Sequence, residues 1–151
     1  MHLPHITPFT KSPIYFFTVC TAGRRSVLAG PIAFRMLHAV WQRSAAINNW
    51  YVGRYVLMPD HVHFFAAPGT DANSRSLWVK MWKSVTARHL ATELNLLPPI
   101  WQEDSFDHIL RRAESYETKW KYVQENPVRA GLCTTAEAWP WQGEIHRLRF
   151  E

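Results

Sequence analysis

The sequence predicts one α+β domain of the split βαβ type, in which helices pack on a four-stranded antiparallel sheet. Segments rich in aromatic and β-branched residues alternate with amphipathic segments in the order β-α-β-β-α-β-α. The chain has 151 residues, of which 47% are hydrophobic. This is enough to bury a core, and it argues against disorder. We find no internal repeat or low-complexity linker, so residues 1–151 are expected to form a single domain.

The first two predicted elements are a strand and a helix. The stretch "PIYFFTVCTA", residues 13–22, predicts a strand because aromatic and β-branched side chains dominate it. Pro31 suits the first turn of the helix that follows. The apolar stripe of that helix recurs at helical spacing and consists of Phe34, Leu37, Val40, Trp41 and Ala45.

A tight hairpin is predicted at the centre of the chain. Residues 49–58 and 61–68 both have strand character, and only Pro59 and Asp60 separate them, which indicates an antiparallel pair. The loop "GTDANS" follows, and its Ser74 is expected to cap a long helix over residues 75–94. The helical spacing of Trp78 and Trp82 on that helix indicates core positions.

The last predicted elements are a strand over residues 106–111 and a helix over residues 115–125. The helix is expected to end before Pro127, because the residue ahead of a proline avoids helical geometry. This helix is expected to pack against the sheet near the central hairpin. The tail that follows contains Trp139 and Trp141, and it is expected either to fold back over the domain or to clamp a ligand.

The charge balance suits a polyanionic partner such as nucleic acid. The formal net charge is +5 and the sequence pI is about 9.5, although a solvated basic surface has the same composition. Cys20 and Cys133 have no disulfide or metal spacing, and "MHLPHITPFT" has no signal-peptide pattern. Apolar runs are too short for a membrane span. We therefore expect a soluble cytoplasmic protein with no membrane partner.

Two histidines lie one residue apart in the apolar stretch "YVLMPDHVHFF". Alternate residues of a strand share a face, so His61 and His63 project together, while Val62 and Phe64 are expected to face the opposite way, into the helix-covered core. Two imidazoles on one face are suited to binding a single divalent ion. A pair of hydrogen-bonded structural histidines is an equally good interpretation of this motif alone.

A possible nucleophile and a third ligand occur together in "KYVQENP". Tyr122 and Asn126 are four residues apart, so they are expected to share a helix face. The amide oxygen suits a hard cation, and the phenolic hydroxyl is able to attack phosphorus. The alternative is that Tyr122 is a core aromatic residue and Asn126 only ends the helix. A metal held by two imidazoles and one amide keeps its full charge and polarises a phosphodiester.

Five stretches resemble REP-associated tyrosine transposases, which belong to the single-strand DNA transposases with a His-hydrophobic-His motif and one catalytic tyrosine. They occur in the family's order: "PIYFFTVCTAGRR", "YVLMPDHVHFF", "MWKSVTAR", "WQEDSFDHILR" and "KYVQENPVRAGL". The resemblance covers residues 12–132, which leaves residues 133–151 as a C-terminal tail. Asp60 stands where such proteins commonly have asparagine.

The resemblance implies a ferredoxin-like (RRM-like) fold, with the histidine pair on a central strand and the catalytic helix near it. It implies His61, His63 and Asn126 as ligands of Mg²⁺ or Mn²⁺, and Tyr122 as the nucleophile. The implied reaction cuts and rejoins single-stranded DNA beside hairpins of repeated extragenic palindromes (REP) through a 5′-phosphotyrosine. Tyr116 lacks an asparagine four residues later and ranks below Tyr122. Relatives of this kind are monomers or homodimers.

Several side chains are candidates for DNA contact, although a solvated basic face is an equally good interpretation of each cation. Lys83 is the strongest candidate because it lies within "WKSVTAR", and Trp101, in a loop, is the candidate for base stacking. The other candidates are Lys80, Arg88, Arg111 and Lys119. Two competing functions stay open: a DNA-hairpin-binding protein of domesticated transposase origin that does not cut, and a metal-dependent hydrolase of small phosphoesters.

Overall fold

The computed structural model describes residues 13–150, and nine helices and strands within this range determine the architecture. They are β1 (Ile14–Cys20), α1 (Pro31–Asn48), β2 (Trp50–Leu57), β3 (His61–Pro68), α2 (Arg75–Glu93), β4 (Phe106–Leu110), α3 (Ala113–Gln124), α4 (Asn126–Arg129) and β5 (Gln142–Glu144). The first seven follow the predicted β-α-β-β-α-β-α order. Within the described range, no helix is both long and apolar enough to cross a membrane.

All strand pairs of the sheet are antiparallel, in the order β4-β1-β3-β2-β5, so the strand with both histidines is central. The turn between β2 and β3 is closed by the Met58 amide, which donates to the His61 carbonyl at 2.8 Å. Thr18 of β1 lies directly opposite His63, and on its other side it lies opposite Phe106 of β4. The predicted split βαβ fold is therefore confirmed, except that the sheet has five strands instead of four.

Helices α1 and α2 cover one face of the sheet and bury its largest aromatic side chains. The Phe64 ring lies 4.7 Å from Trp41 and 5.6 Å from Trp82, measured between ring centroids. Trp78 stacks on Trp50 at 4.7 Å and is fully buried. The prediction that Val62 and Phe64 face a helix-covered core is confirmed, as are the core positions of Trp78 and Trp82.

Helix α3 and the C-terminal tail cover the opposite face. Phe65 of β3 contacts Tyr116 of α3, with ring centroids 4.9 Å apart. In the tail, the Trp139 indole N–H donates to the Leu57 carbonyl at 3.0 Å, and β5 pairs with β2. A Cβ at Gly143 would lie 2.8 Å from the Tyr55 hydroxyl, so only glycine allows this close approach. Of the two predicted alternatives for the tail, the structure shows that it folds back over the domain.

The third helix differs from its predicted boundaries. It begins at Ala113 and ends at Gln124, and a separate turn, α4, starts at Asn126. Pro127 has no amide hydrogen to continue the hydrogen bonding of α3, which accounts for the break. Tyr122 and Asn126 therefore lie on successive helices. The prediction from their spacing, that they share one face of a single helix, is wrong.

The predicted cap of α2 is confirmed, since the Ser74 hydroxyl oxygen accepts from the Leu77 amide at 3.2 Å. We expect Ser74→Ala to lower the free energy of unfolding by about 1 kcal/mol, because this amide loses its acceptor. The melting temperature of a domain of this size should fall by about 2–4 °C in calorimetry. Ser76→Ala is the control, because Ser76 is exposed in the first turn and does not serve as the cap. Equal losses in both variants would contradict this role of the cap.

Candidate active site

The two histidines of β3 project from the face covered by α3. Their ring centroids are 4.7 Å apart, and the planes are nearly perpendicular at 80°. Both side chains are partly buried, and Val62 between them enters the opposite core. The predicted pairing of His61 and His63 on one face is therefore present, and each ring has a different hydrogen-bond partner.

His61 is oriented by a carboxylate. Its Nδ1 donates to Asp60 Oδ1 at 2.8 Å, and Asp60 Oδ2 accepts from Arg24 Nε at 3.0 Å. Burial alone would raise the pKa of the Asp60 carboxyl, but the hydrogen bonds from His61 and Arg24 hold that pKa below its ordinary value. Because an ionised carboxylate only accepts, the Nδ1 atom carries a proton, and in the neutral form of the ring Nε2 of His61 presents its lone pair.

His63 is hydrogen-bonded to a hydroxyl and packed against an aromatic ring. Its Nδ1 lies 2.9 Å from the Thr18 hydroxyl, and its ring stacks on Phe16 at 5.3 Å. Burial lowers the pKa of His63 to about 3, and the positive charges of Lys119 and Arg129, together with that of His61 whenever its ring is protonated, act in the same direction. His63 is therefore a neutral imidazole at neutral pH, which is the form that binds metal ions.

The donor set fits a divalent ion if an amide completes it. Across residues 13–150 there is no group of three His, Cys, Asp or Glu side chains arranged to hold a metal. Both imidazoles have their Nδ1 atoms engaged, as is usual for histidines that bind a metal through Nε2. A third protein ligand must therefore be of another type, and the amide oxygen of Asn126 is the candidate.

One arginine connects the candidate nucleophile with the candidate third ligand. Arg129 Cζ lies 3.9 Å from the centre of the Tyr122 ring. One guanidinium nitrogen donates to the Tyr122 carbonyl at 2.7 Å and also to Asn126 Oδ1. Lys119 Nζ lies 6.0 Å from the same ring. The Tyr122 side chain is 60% exposed, so its hydroxyl is accessible to a large substrate while two cations lie next to the ring.

The predicted DNA contacts are divided between the two layers. Lys119 of α3 lies beside Tyr122, and Arg111 is exposed directly after β4. Lys80, Lys83 and Arg88 lie on α2, which packs on the other face, and they line a groove of about 1250 Å³. The Lys83 ammonium donates to the carbonyls of Gln102 and Glu103, at 2.7 and 3.1 Å, so it also anchors the loop before β4.

Trp101 does not have the surface that base stacking requires. It is 6% exposed, its indole N–H donates to the Thr86 hydroxyl at 2.9 Å, and its ring packs on Trp82. The expectation that Trp101 stacks on a base is therefore corrected, because a ring packed in the core has no free face. Tyr116, which ranked below Tyr122, is only 4% exposed.

The two side chains that hydrogen-bond the imidazoles, Thr18 and Asp60, are not among the residues predicted from the sequence. Thr18 belongs to another strand, and only the strand register brings it opposite His63. Asp60 departs from the family pattern and directly precedes His61. A carboxylate next to a candidate ligand histidine was the available signal, since such ligands commonly donate to carboxylates.

The low pKa of His63 predicts that the metal-free protein keeps this ring neutral over the physiological range. Its Cε1–H signal in ¹H–¹³C spectra should not shift between about pH 8 and about pH 5. The unfolded chain takes up the proton near pH 6.5 and the folded chain only near pH 3. Protonation therefore favours unfolding, and stability should fall as the pH drops through that window. A titration midpoint near the ordinary value would contradict the prediction.

Known proteins share both the sequence pattern and the fold. The family model described as "Transposase IS200 like" matches residues 10–126. The chain is 29% identical to the REP-associated tyrosine transposase of Escherichia coli (strain K12), over 92% of this chain and 80% of that protein. A REP-associated tyrosine transposase solved bound to a REP hairpin is similar in fold, with a TM-score of 0.71 and 22% identity. That alignment covers 94% of this chain and 80% of the other.

The match to the IS200-like family model extends over most of the chain. It covers more than half of the chain, and it includes all of β1 through α3 together with Asn126. The solved neighbour supports the same fold independently. This chain therefore belongs to the IS200-like transposase family.

Proposed function

We propose that this transposase cuts and rejoins single-stranded DNA beside REP-like hairpins, with Tyr122 as the nucleophile and Mg²⁺ or Mn²⁺ as cofactor. The observation that carries the proposal is the exposed Tyr122 ring next to two cations, Lys119 and Arg129, whose charges also act on His63. The fold shared with a relative bound to a REP hairpin supports the choice of DNA. We expect the reaction to take place in the cytoplasm, by a monomer or a homodimer.

The proposed step is an in-line displacement at a phosphodiester. The Tyr122 oxygen forms a bond to phosphorus and loses its proton, while the bond from phosphorus to the 3′ oxygen breaks and that oxygen takes up a proton. The product is a 5′-phosphotyrosine and a free 3′ hydroxyl. Because the covalent link conserves the phosphodiester energy, attack by a new 3′ hydroxyl rejoins DNA without a nucleotide cofactor.

The chain's own residues have separate tasks in this step. His61, His63 and Asn126 would hold the ion, which when bound polarises the phosphate and stabilises the charge that develops on it. Arg129 donates to the Asn126 amide oxygen and lies over the Tyr122 ring. The guanidinium thereby fixes the position of both groups, and it offers charge to the phosphate. Binding of the ion by Asn126 requires this oxygen to share its lone pairs with Arg129.

The DNA path proposed here runs along α3. An open groove of about 670 Å³ is lined by Leu110, Glu114, Ser115, Thr118, Lys119 and Tyr122. Lys119 lines this groove, and Arg111 directly follows Leu110, another lining residue; we propose that both cations contact phosphates. Lys80, Lys83 and Arg88 lie on the other layer, so any contact they make would involve a more distant part of the hairpin.

Tyr122→Phe should abolish the covalent protein–DNA adduct, because only the attacking oxygen is removed and the ring over Arg129 stays. The measurement is a denaturing gel of the protein incubated with Mn²⁺ and labelled single-stranded oligonucleotides that carry a REP hairpin with flanks. Hairpin affinity in a gel-shift assay should stay within about two-fold of the wild type. Tyr116→Phe is the matched control and should form the adduct normally, since Tyr116 is buried.

Full adduct formation by the Tyr122→Phe variant would overturn the assignment of the nucleophile. Tight hairpin binding without any adduct from the wild-type protein, at any Mg²⁺ or Mn²⁺ concentration, would instead identify a binding protein that does not cut. Turnover of a small phosphodiester, with no affinity for hairpins, would identify a hydrolase.

The contact between Asp60 and His61 should strengthen metal binding. We expect Asp60→Ala to weaken Mn²⁺ affinity by about 10-fold or more in calorimetry, because His61 loses the acceptor that orients it. Asp60→Asn should have a smaller effect, since its amide oxygen still accepts from Nδ1. Asp107→Ala is the control, because Asp107 pairs with Arg75 on the other face. Unchanged affinity in Asp60→Ala would refute this role.

A further inference from the structure

An exposed aromatic ring lies in register with the histidine pair. Phe106 of β4 is directly opposite Thr18 of β1, and Thr18 is directly opposite His63 of β3. Residues directly opposite one another in antiparallel strands have their side chains on the same face. The three side chains therefore form one row across the sheet, and the contacts of the neighbouring row confirm its direction: Phe16 lies 5.0 Å from Phe65 and 5.5 Å from His108.

Phe106 is the outer end of this row and is 66% exposed. The large aromatic side chains of the neighbouring row, Phe16 and Phe65, are by contrast covered by the core. The charge around the row suits a polyanion, because Lys119 Nζ lies 4.7 Å from the centre of the Phe16 ring. The carboxylate of β4, Asp107, points to the opposite face and is held there by Arg75 at 3.3 Å.

We propose that Phe106 is a stacking platform for a base of the single strand that leaves the hairpin. This inference rests on the proposed function, since it places DNA over the histidine face. Adjacent strands are about 4.8 Å apart, so Phe106 lies about 10 Å from His63 along the row. Stacked nucleotides advance about 3.4 Å each, so the base on Phe106 is within about three nucleotides of the phosphate being cut.

Exposure explains why Phe106, and not Trp101, is suited to stack on a base. Stacking needs a ring with an open face beside a cationic path, and it tolerates any base because every base has a π surface. Trp101 has both faces in the core, whereas Phe106 combines exposure with a position in the row of His63.

The experiment measures binding of fluorescein-labelled (dT)₂₀ by anisotropy, in a Tyr122→Phe background that prevents cutting. Phe106→Ala should weaken binding by about 10-fold, and Phe106→Trp should retain it. The matched control is Ile109→Ala, which truncates an exposed side chain of the same strand on the opposite face and should change nothing. A flanked REP hairpin with 2-aminopurine near the cleavage position should show quenching that Phe106→Ala relieves.

Three outcomes would overturn this inference. The first is equal (dT)₂₀ affinity for the Phe106→Ala and Ile109→Ala proteins, and the second is no measurable (dT)₂₀ binding at all. The third is a change in sedimentation mass caused by Phe106→Ala, which would make the exposed ring a contact between subunits. None of these depends on adduct formation, so failure of the proposed chemistry and failure of the platform are distinguishable.

Discussion

The alternation of side chains along β3 is the constraint on which the rest of the structure depends. This strand lies at the centre of the sheet, and each of its faces meets a different core. Val62 and Phe64 fill the core under α1 and α2, which leaves His61 and His63 on the face of α3. A slip of one residue would exchange the two sets and place the imidazoles among tryptophans. The short turn at Pro59 and Asp60 prevents this slip, so one register determines both the core and the site.

Partial burial of the imidazoles costs desolvation free energy, which hydrogen bonds to neighbouring side chains offset. A buried imidazole needs partners for its polar atoms, and Asp60 and Thr18 supply them at hydrogen-bond distance. Nearby positive charge makes the protonated form of His63 still less favourable. The same cations, Lys119 and Arg129, are suited to a phosphate group. This environment therefore keeps His63 in the neutral form that a metal ligand requires, and its cations suit an anionic substrate.

Most of the fold was predictable because its elements have strong hydrophobic patterns. The strand of residues 14–20 and the amphipathic helices show the spacing of buried side chains, and the cap at Ser74 has a local chemical signature. Strand β5 was not predictable, since Gln142, Gly143 and Glu144 have neither β-branched nor aromatic side chains. It exists because β2 has an open edge and because Gly143 fits against Tyr55. The burial of Trp101 was not predictable either, because it depends on contacts with Thr86 and Trp82 of α2, which the sequence of the loop does not reveal.

The net charge of +5 suggested a polyanionic partner, but its distribution between the two layers is more informative. On the α2 layer, Arg75 is paired with Asp107 and the Lys83 ammonium is bound to loop carbonyls. The groove there also includes Glu103 and Asp104, which oppose an anion. On the α3 layer, Lys119 and Arg129 lie next to an exposed tyrosine. Since phosphate chemistry requires cations at the reacting group, the α3 layer is where the charge and the nucleophile coincide.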